Sequence, residues 1–578
     1  MNKKPSTSSR PGTPARSAEA LSHLAPLLLF VFLTLILTAP VVLHLKREII
    51  GKSGDSLIFL WNFWWTKKAL LDPHLSLFFT DYLYYPDGAS LAFHTLSLFN
   101  GIASIPLQSG LGLIGTYSVL ILLGFVLGAW GAYLLAYSLT RHRLASIFAG
   151  IAFGFCPFHV SNAMADLNVA SVQFIPFTLL FLVRWRRQGR YRDAALTGVF
   201  LGLTALSHLY YLLFVLMAIV LFSMIWILRS EHRRASGHGF LRVVLFAAVS
   251  GILLLPIVVP MIQVSTESTE FANPGRQDAY SADLLAYVVP SLFSQLLREQ
   301  VRPFYAQLPG NMYENTVTPG LVVLCLAAFA VWGRRKFRNE DRLIWAVLGL
   351  ASVVLSLGST VQVAGTSLGA SGYLPYRWLI QSVPLISHAR VPSRFAVLAA
   401  CSASVLAAYG MRDLLQRRSL RPATGKRTVV VIVLFALLIA ELWAAPFPTT
   451  PISIPRFFDR IAKDGEDCTV LHLPLEKWNA TTRAMYYQTS HGKRMLNGAI
   501  ARVPAGVETT LEEWKKTPLD YDFMLRNRVR YIVLLTSYGL VPWHHEVMEV
   551  LERRPWLKRV AHDETLIVAY RVSWPEDP

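Results

Sequence analysis

The sequence predicts a mainly α polytopic membrane bundle of about eleven transmembrane helices, with a small α/β unit at its C-terminal end. Three observations predict it. Apolar residues make up 53% of the chain and charged residues 16%, where soluble proteins carry nearer ~25% charged. Several uncharged apolar runs approach or exceed the ~18–20 residues that cross a bilayer. After Pro446 this pattern stops, and short period-two apolar runs alternate with charged helical stretches.

The net charge of +19 reports orientation. Lys and Arg concentrate between apolar runs, at Arg141/Arg143, Arg184 to Arg192, Arg229/Arg233/Arg234, Arg334 to Arg342 and Arg412 to Arg427, while the alternate loops are poorer in them. That alternation is the positive-inside pattern, with the N-terminus inside and the C-terminal unit outside. No basic stretch is interleaved with aromatics as a single-strand binder requires. The expected partner is therefore the lipid bilayer, and nucleic acid is excluded.

Residues 1–20, rich in Ser, Pro, Thr and Arg, read as a disordered cytoplasmic tail. The run 24–45 is longer than a signal-peptide core and lacks a small-x-small cleavage site, so it reads as an uncleaved anchor. Ten further spans are expected at 113–139, 144–160, 168–184, 194–208, 210–228, 240–262, 317–333, 342–358, 394–412 and 428–445. The polar pair Ser207-His208 marks the turn inside the long run 194–228. Leu91–Leu107 is apolar, but a full span there would reverse every later loop, so it reads as re-entrant or interfacial. Together, residues 21–445 form the membrane domain, with a first outer loop at 46–112. Residues 446–578 form the extracytoplasmic unit, with strands at Val470–Leu473, Tyr531–Leu535 and Leu566–Val572 and helices at Val507–Lys516 and Glu546–Arg554. Cys156, Cys325 and Cys401 fall in apolar runs and Cys468 stands alone, so neither a disulfide framework nor a zinc spacing exists.

On this topology the unusual polar residues gather on the outer face, where ionisable groups near membrane depth mark substrate pathways. The first loop holds Lys52, Asp55, Asp81, Asp87 and His94. Asp55 in Gly54-Asp-Ser56 fits both a helix cap and a catalytic carboxylate, and the two are compatible. Asp87, in Pro86-Asp-Gly88, reads as a turn residue. The following aromatics Trp61, Trp64 and Trp65 read either as an interfacial belt or as a surface on which a lipid tail slides. Asp166 and Asn168 occupy the very short turn after the third span. His208 and Tyr210 lie in Ser207-His-Leu-Tyr-Tyr211, where a histidine satisfied by hydrogen bonds competes with a substrate-binding one. Arg390 and Arg394, separated by Pro392, either anchor a span or clamp a phosphate through fork-like hydrogen bonds.

Four pieces carry a resemblance: Tyr85-Pro-Asp-Gly88, Ser207-His-Leu-Tyr-Tyr211, Arg390-Val-Pro-Ser-Arg394-Phe and Tyr486-Tyr-Gln-Thr-Ser-His491-Gly. With the first span, the long acidic outer loop and the C-terminal unit, they resemble a bacterial branch of the GT-C membrane glycosyltransferases, which use polyprenyl-phosphate sugars. The resemblance implies inverting transfer of a hexosyl or pentosyl group to a cell-envelope lipid, glycan or protein, in a bacterial inner membrane. It also implies that Asp55 acts as general base or acceptor anchor. Some members hold a divalent cation, Mg or Mn, on a second acidic pair. Here that pair is incomplete, Asp166 being followed by Asn168, which leaves Asp55 and Asp166 as the carboxylates that would hold it. Two other classes compete with an enzyme. A transporter or flippase of lipid-linked saccharides would carry paired repeats with broken helices, and no repeat is visible. A non-catalytic membrane scaffold would use the C-terminal unit to bind a partner.

Overall fold

The computed structural model describes residues 13–52, 54–229, 237–267, 280–332, 340–370, 373–382, 391–417, 425–475, 477–500, 520–536, 542–563 and 567–575. The membrane region is built from α1 (Thr13–Leu37), α2 (Asp55–Leu71), α3 (Leu98–Thr140), α4 (Arg143–Gly154), α5 (Pro157–Ala163), α6 (Phe174–Gln188), α7 (Tyr191–Ser207), α8 (Leu209–Arg229), α9 (Gly237–Glu267), α10 (Leu321–Trp332), α11 (Glu340–Ser356), α12 (Ala396–Leu415) and α13 (Lys426–Leu442). Each expected span coincides with a helix or a helix pair. Six helical segments among the described residues are long and apolar enough to cross a membrane, and His23–Leu37 and Leu321–Trp332 are shorter apolar helices. Of the tail expected to be disordered, residues 1–12 lie outside the described residues, and from Thr13 the chain is already helical.

Local chemistry explains the breaks. Pro157 has no N–H to donate, so the chain leaves α4 at Cys156 and restarts with Pro157 in the first turn of α5. Gly112, at φ 67° and ψ −177°, interrupts α3 with a conformation that a Cβ would strain. The stretch before that kink packs on α2, where Gln108 Nε2 donates to the Phe63 carbonyl at 3.1 Å. The expected turn between α7 and α8 falls at His208, whose backbone is extended.

The bundle centres on α12, which with its leading turn is 94% buried. Its Ala, Ser and Gly residues let neighbours approach closely. A Cβ at Gly410 would lie 2.0 Å from the Leu326 carbonyl oxygen of α10, so only glycine fits. By contrast, the apolar window of α9 is only 6% buried. Phe240, Leu241, Val244, Ile252, Leu255 and Val259 stand exposed along it, a face that requires lipid as solvent. This is a membrane protein.

The C-terminal region is a mixed five-stranded sheet. It comprises β3 (Thr469–Leu473), β4 (Arg494–Met495), β5 (Val529–Leu535), β6 (Leu557–Asp563) and β7 (Ile567–Val572), numbered after β1 (Glu48–Ile50) and β2 (Thr449–Pro451). Its order is β6-β7-β5-β3-β4. β3 pairs parallel with β4 and β5, and β7 pairs antiparallel with β5 and β6. β5 is buried throughout, as a central strand covered on both faces must be. Of the two expected helices, Val507–Lys516 lies outside the described residues, and the other runs Pro542–Glu552.

This region docks on the first outer loop. β1 pairs antiparallel with β2, and α14 (Trp478–His491) packs along α2. Trp61 and Trp65 stack at 5.6 Å and are fully buried there. They are core residues between α2 and the C-terminal region, in place of the lipid-facing belt their spacing invites. The buried amide of Gln488 locks the contact. Its Oε1 accepts from Trp61 Nε1 at 2.7 Å, and its Nε2 donates to the carbonyls of Tyr82 and Lys493 at 2.6 and 2.9 Å.

Candidate active site

A cavity of about 490 Å³ opens where α2, the strand-like segment before α3, the α5–α6 turn, the α7–α8 turn, α9 and the turn leading into α12 converge. Each wall has a local cause. Asp55 opens α2, but the helix cap is Gly54 and no side chain caps it. The Asp55 carboxylate instead accepts from Trp478 Nε1 at 2.5 Å, and Asp55 lines the cavity. Asp166 precedes the single turn Leu167–Ala170 and does not cap it through its side chain. Asn168 is committed locally, its Oδ1 accepting from the Val169 N–H at 2.9 Å.

The turn Pro392–Phe395 delivers Arg394 to the opposite wall. Glu314 Oε1 accepts from Arg394 Nε at 2.9 Å and from Nη2 at 2.5 Å, in a pair 13% and 4% exposed. Arg394 Nη1 turns away from Glu314 and donates to His208 Nε2 at 3.4 Å, which places the His208 proton on Nδ1. Tyr210 lies against both, 5.1 Å from the His208 ring and 5.7 Å from the guanidinium carbon. Across the cavity, His94 Nε2 meets Asn62 Oδ1 at 3.0 Å, while Asn62 donates to the Thr95 carbonyl at 2.9 Å. Asn62 Oδ1 is thus the acceptor and His94 Nε2 the donor.

The electrostatics separate these groups. Burial, with the nearby Asp55 charge adding to it, raises the Asp166 carboxyl to about 7; Arg394 opposes the shift. Burial keeps His94 neutral down to about 4. Burial, with the Arg394 charge, holds His208 well below the usual histidine range. The cavity therefore presents Asp55 at its rim, an inner carboxyl whose ionisation burial disfavours, two imidazoles that burial keeps neutral, and a guanidinium with one edge turned from its carboxylate. Leu91, Leu213, Ile257 and Met261 supply an apolar wall.

Asp55, His94, Asp166, His208, Tyr210 and Arg394 all line this one cavity. Lys52 is exposed and does not line it. Arg390 lies outside the described residues, so the arginine pair is represented by Arg394 alone, partnered by an acid. Asp81 is bound by Arg494 at 2.7 Å, and Asp87 sits in the turn closed by the Gly88 N–H on the Tyr84 carbonyl. Sequence reasoning missed Glu314, Asn311 and Trp478. A lone acid in an outer loop shortly before α10 was the available signal for Glu314. Nothing local marks Trp478, which lies 423 residues from its partner.

Among the described residues, no group of three or more His, Cys, Asp or Glu side chains comes together to hold a metal ion. Asp55 and Asp166 nonetheless face the same cavity. Their mutual repulsion is the arrangement that an Mg²⁺ ion, bound through one or two carboxylates plus water and a phosphate, would relieve.

A bundle of this connectivity, with an acidic first outer loop packed under a C-terminal α/β region, is the GT-C fold. The chain belongs to the family described as a domain of unknown function, DUF6311, which matches residues 27–443. A search of curated proteins finds no match. Among solved structures, the chain is similar to the arabinofuranosyltransferase AftD from Mycobacteria, with a TM-score of 0.64 and 16% identity over 96% of this chain. It spans 40% of that protein's length. It is also similar to the oligosaccharyltransferase AglB from Archaeoglobus fulgidus, solved with an inhibitory peptide and a dolichol-phosphate. There the TM-score is 0.53 at 12% identity, covering 90% of this chain and 70% of that one. A second AglB structure holds Zn and sulfate, with a TM-score of 0.52 at 13% identity, covering 95% of this chain and 73% of that one.

Proposed function

We propose that this protein is an inverting membrane glycosyltransferase that moves a hexosyl or pentosyl group from a polyprenyl-phosphate donor to a cell-envelope lipid, glycan or protein acceptor. The observation that carries this reading is one cavity holding Asp55 at its rim, the Arg394 guanidinium with Nη1 turned from Glu314, and an apolar wall reaching α9. The acceptor hydroxyl oxygen attacks the anomeric carbon, and Asp55 takes its proton. A glycosidic bond forms as the bond from the anomeric carbon to the phosphate oxygen breaks. The electron pair leaves on that oxygen, facing the Nη1 edge of Arg394. Arginine keeps its charge at every relevant pH, and neutral His208 beside it adds no competing positive charge. Tyr210 and His94 contact the sugar or acceptor. If a divalent cation (Mg or Mn) takes part, Asp55 and Asp166 hold it, and it neutralises phosphate charge.

The reading extends to topology. Eleven crossings with an internal N-terminus place the cavity and the unit 446–578 on the outer face of a bacterial inner membrane. The test incubates purified wild type and D55N with polyprenyl-phosphate sugars and envelope-lipid acceptors and measures transfer. Wild type transfers sugar, and D55N loses about 10²–10⁴-fold. Full transfer by D55N removes Asp55 as the base. Movement of lipid-linked sugar across vesicles without transfer replaces the enzyme by a transporter. Cysteine labelling at position 55 from the cytoplasmic side alone reverses the topology.

A further inference from the structure

The C-terminal region meets the cavity-lining Asp55 through the Trp478 side chain. Helix α14 is held along α2 by the satisfied Gln488 amide, and this docking carries its first residue, Trp478, to Asp55. Trp478 Nε1 donates to Asp55 Oδ1 at 2.5 Å, while the indole remains 46% exposed. The neighbouring backbone is equally close. A Cβ on Gly54 would lie 3.5 Å from Asn479 Oδ1.

We propose that Trp478 is the positioning residue of the rim carboxylate, so that the C-terminal region completes the active site. This rests on the reading of Asp55 as general base. Asp55 is exposed at the start of its helix and makes no helix cap, so without a partner its side chain would turn among rotamers. The indole N–H fixes one carboxylate oxygen and leaves the other to receive the acceptor proton. A charge-assisted hydrogen bond of this kind orients the group. The indole N–H is a donor only, so it cannot take the proton itself.

The test compares W478F, W478H and D55N in full-length protein by steady-state kinetics, with thermal unfolding as a check on folding. W478F keeps an aromatic ring but has no donor. Its kcat falls about tenfold, the scale of one charge-assisted hydrogen bond, while KM for the lipid donor stays within twofold, a margin of roughly RT ln 2. W478H, with an N–H donor restored, recovers most of kcat. Wild-type kcat in W478F overturns the proposal, as does equal loss in W478F and W478H. An inactive D55N beside a wild-type W478F overturns this inference alone, whereas a fully active D55N overturns the base assignment beneath it.

Discussion

Two charged clusters stand at opposite ends of the central helix α12, and they are built differently. At its C-terminal end, Arg342 is 1% exposed and reaches Asp413 at 2.7 Å, while Arg412 contacts the same carboxylate at 3.0 Å. Arg342 Nη1 also donates to the Ala330 carbonyl at 3.1 Å, and both guanidiniums lie over the Tyr409 ring, at 4.9 and 5.0 Å. At the N-terminal end, Arg394 is held by Glu314 on one edge only and faces a cavity that also contains Asp55 and Asp166. One cluster ties α11 to α12 through the Asp413 carboxylate that both arginines share. The other leaves charge pointed into open space. An ion pair in a membrane bundle is thus informative about function when part of its hydrogen-bonding capacity faces a cavity.

The largest expected effects test that contrast directly. R394M leaves Glu314 buried without its partner and costs about 3–5 kcal/mol of stability. The double variant E314Q/R394Q removes both charges and recovers most of that stability. Transfer stays depressed in it by about 10²-fold or more, the scale of a lost charge-stabilising donor. At the other end, R342M also destabilises by about 3–5 kcal/mol, and R342M/D413L returns near wild-type stability with transfer intact. Unfolding in detergent and transfer per folded molecule check the comparison. Full transfer by E314Q/R394Q would erase the distinction between the two ends.

The next effect follows from Asp166, whose carboxyl is raised from 3.8 to about 7. The folded protein holds this proton where the unfolded chain has lost it, so stability falls as pH rises from about 4 to about 7. D166N removes the penalty and stabilises the protein by about 4 kcal/mol at pH 8, with little gain at pH 4. Equal shifts at both pH values would place the carboxyl in the ordinary range.

The smallest effect lies far from the cavity. His472 and His491 are buried in the C-terminal region with ring centroids 5.9 Å apart, and each faces Phe458. Burial holds His472 neutral down to about 3 and keeps His491 well below its usual range. A histidine depressed in the fold gives full stability above about 6.5, and that stability is lost as pH falls. At pH 5 the cost is about 2 kcal/mol for His472. H472F should flatten the loss between pH 7.5 and 5 in thermal unfolding of the full chain.

Much of the arrangement was legible in the residues. The run lengths anticipated a helix at each expected span, and Ser207-His208 marked the α7–α8 break. The charge alternation assigned Asp55, His94, Asp166, His208 and Arg394 to one side, and all five line one cavity. Glu314 escaped because charge asymmetry counts Lys and Arg, and its partner lies 80 residues away. The tryptophans of α2 were misread because an aromatic stripe has the same spacing against lipid as against a protein domain.

Hydrophobicity and charge, summed along the chain, determined by themselves that this is a helical membrane protein with a C-terminal sheet. These are local, additive properties, and a bilayer reads them segment by segment. Only the tertiary structure decided that Glu314 occupies one edge of Arg394, that Lys52 stands outside the cavity, and that Trp478 meets Asp55. Such pairings depend on where distant segments pack, and a hydrogen bond holds over about 3 Å, a distance no sequence separation encodes.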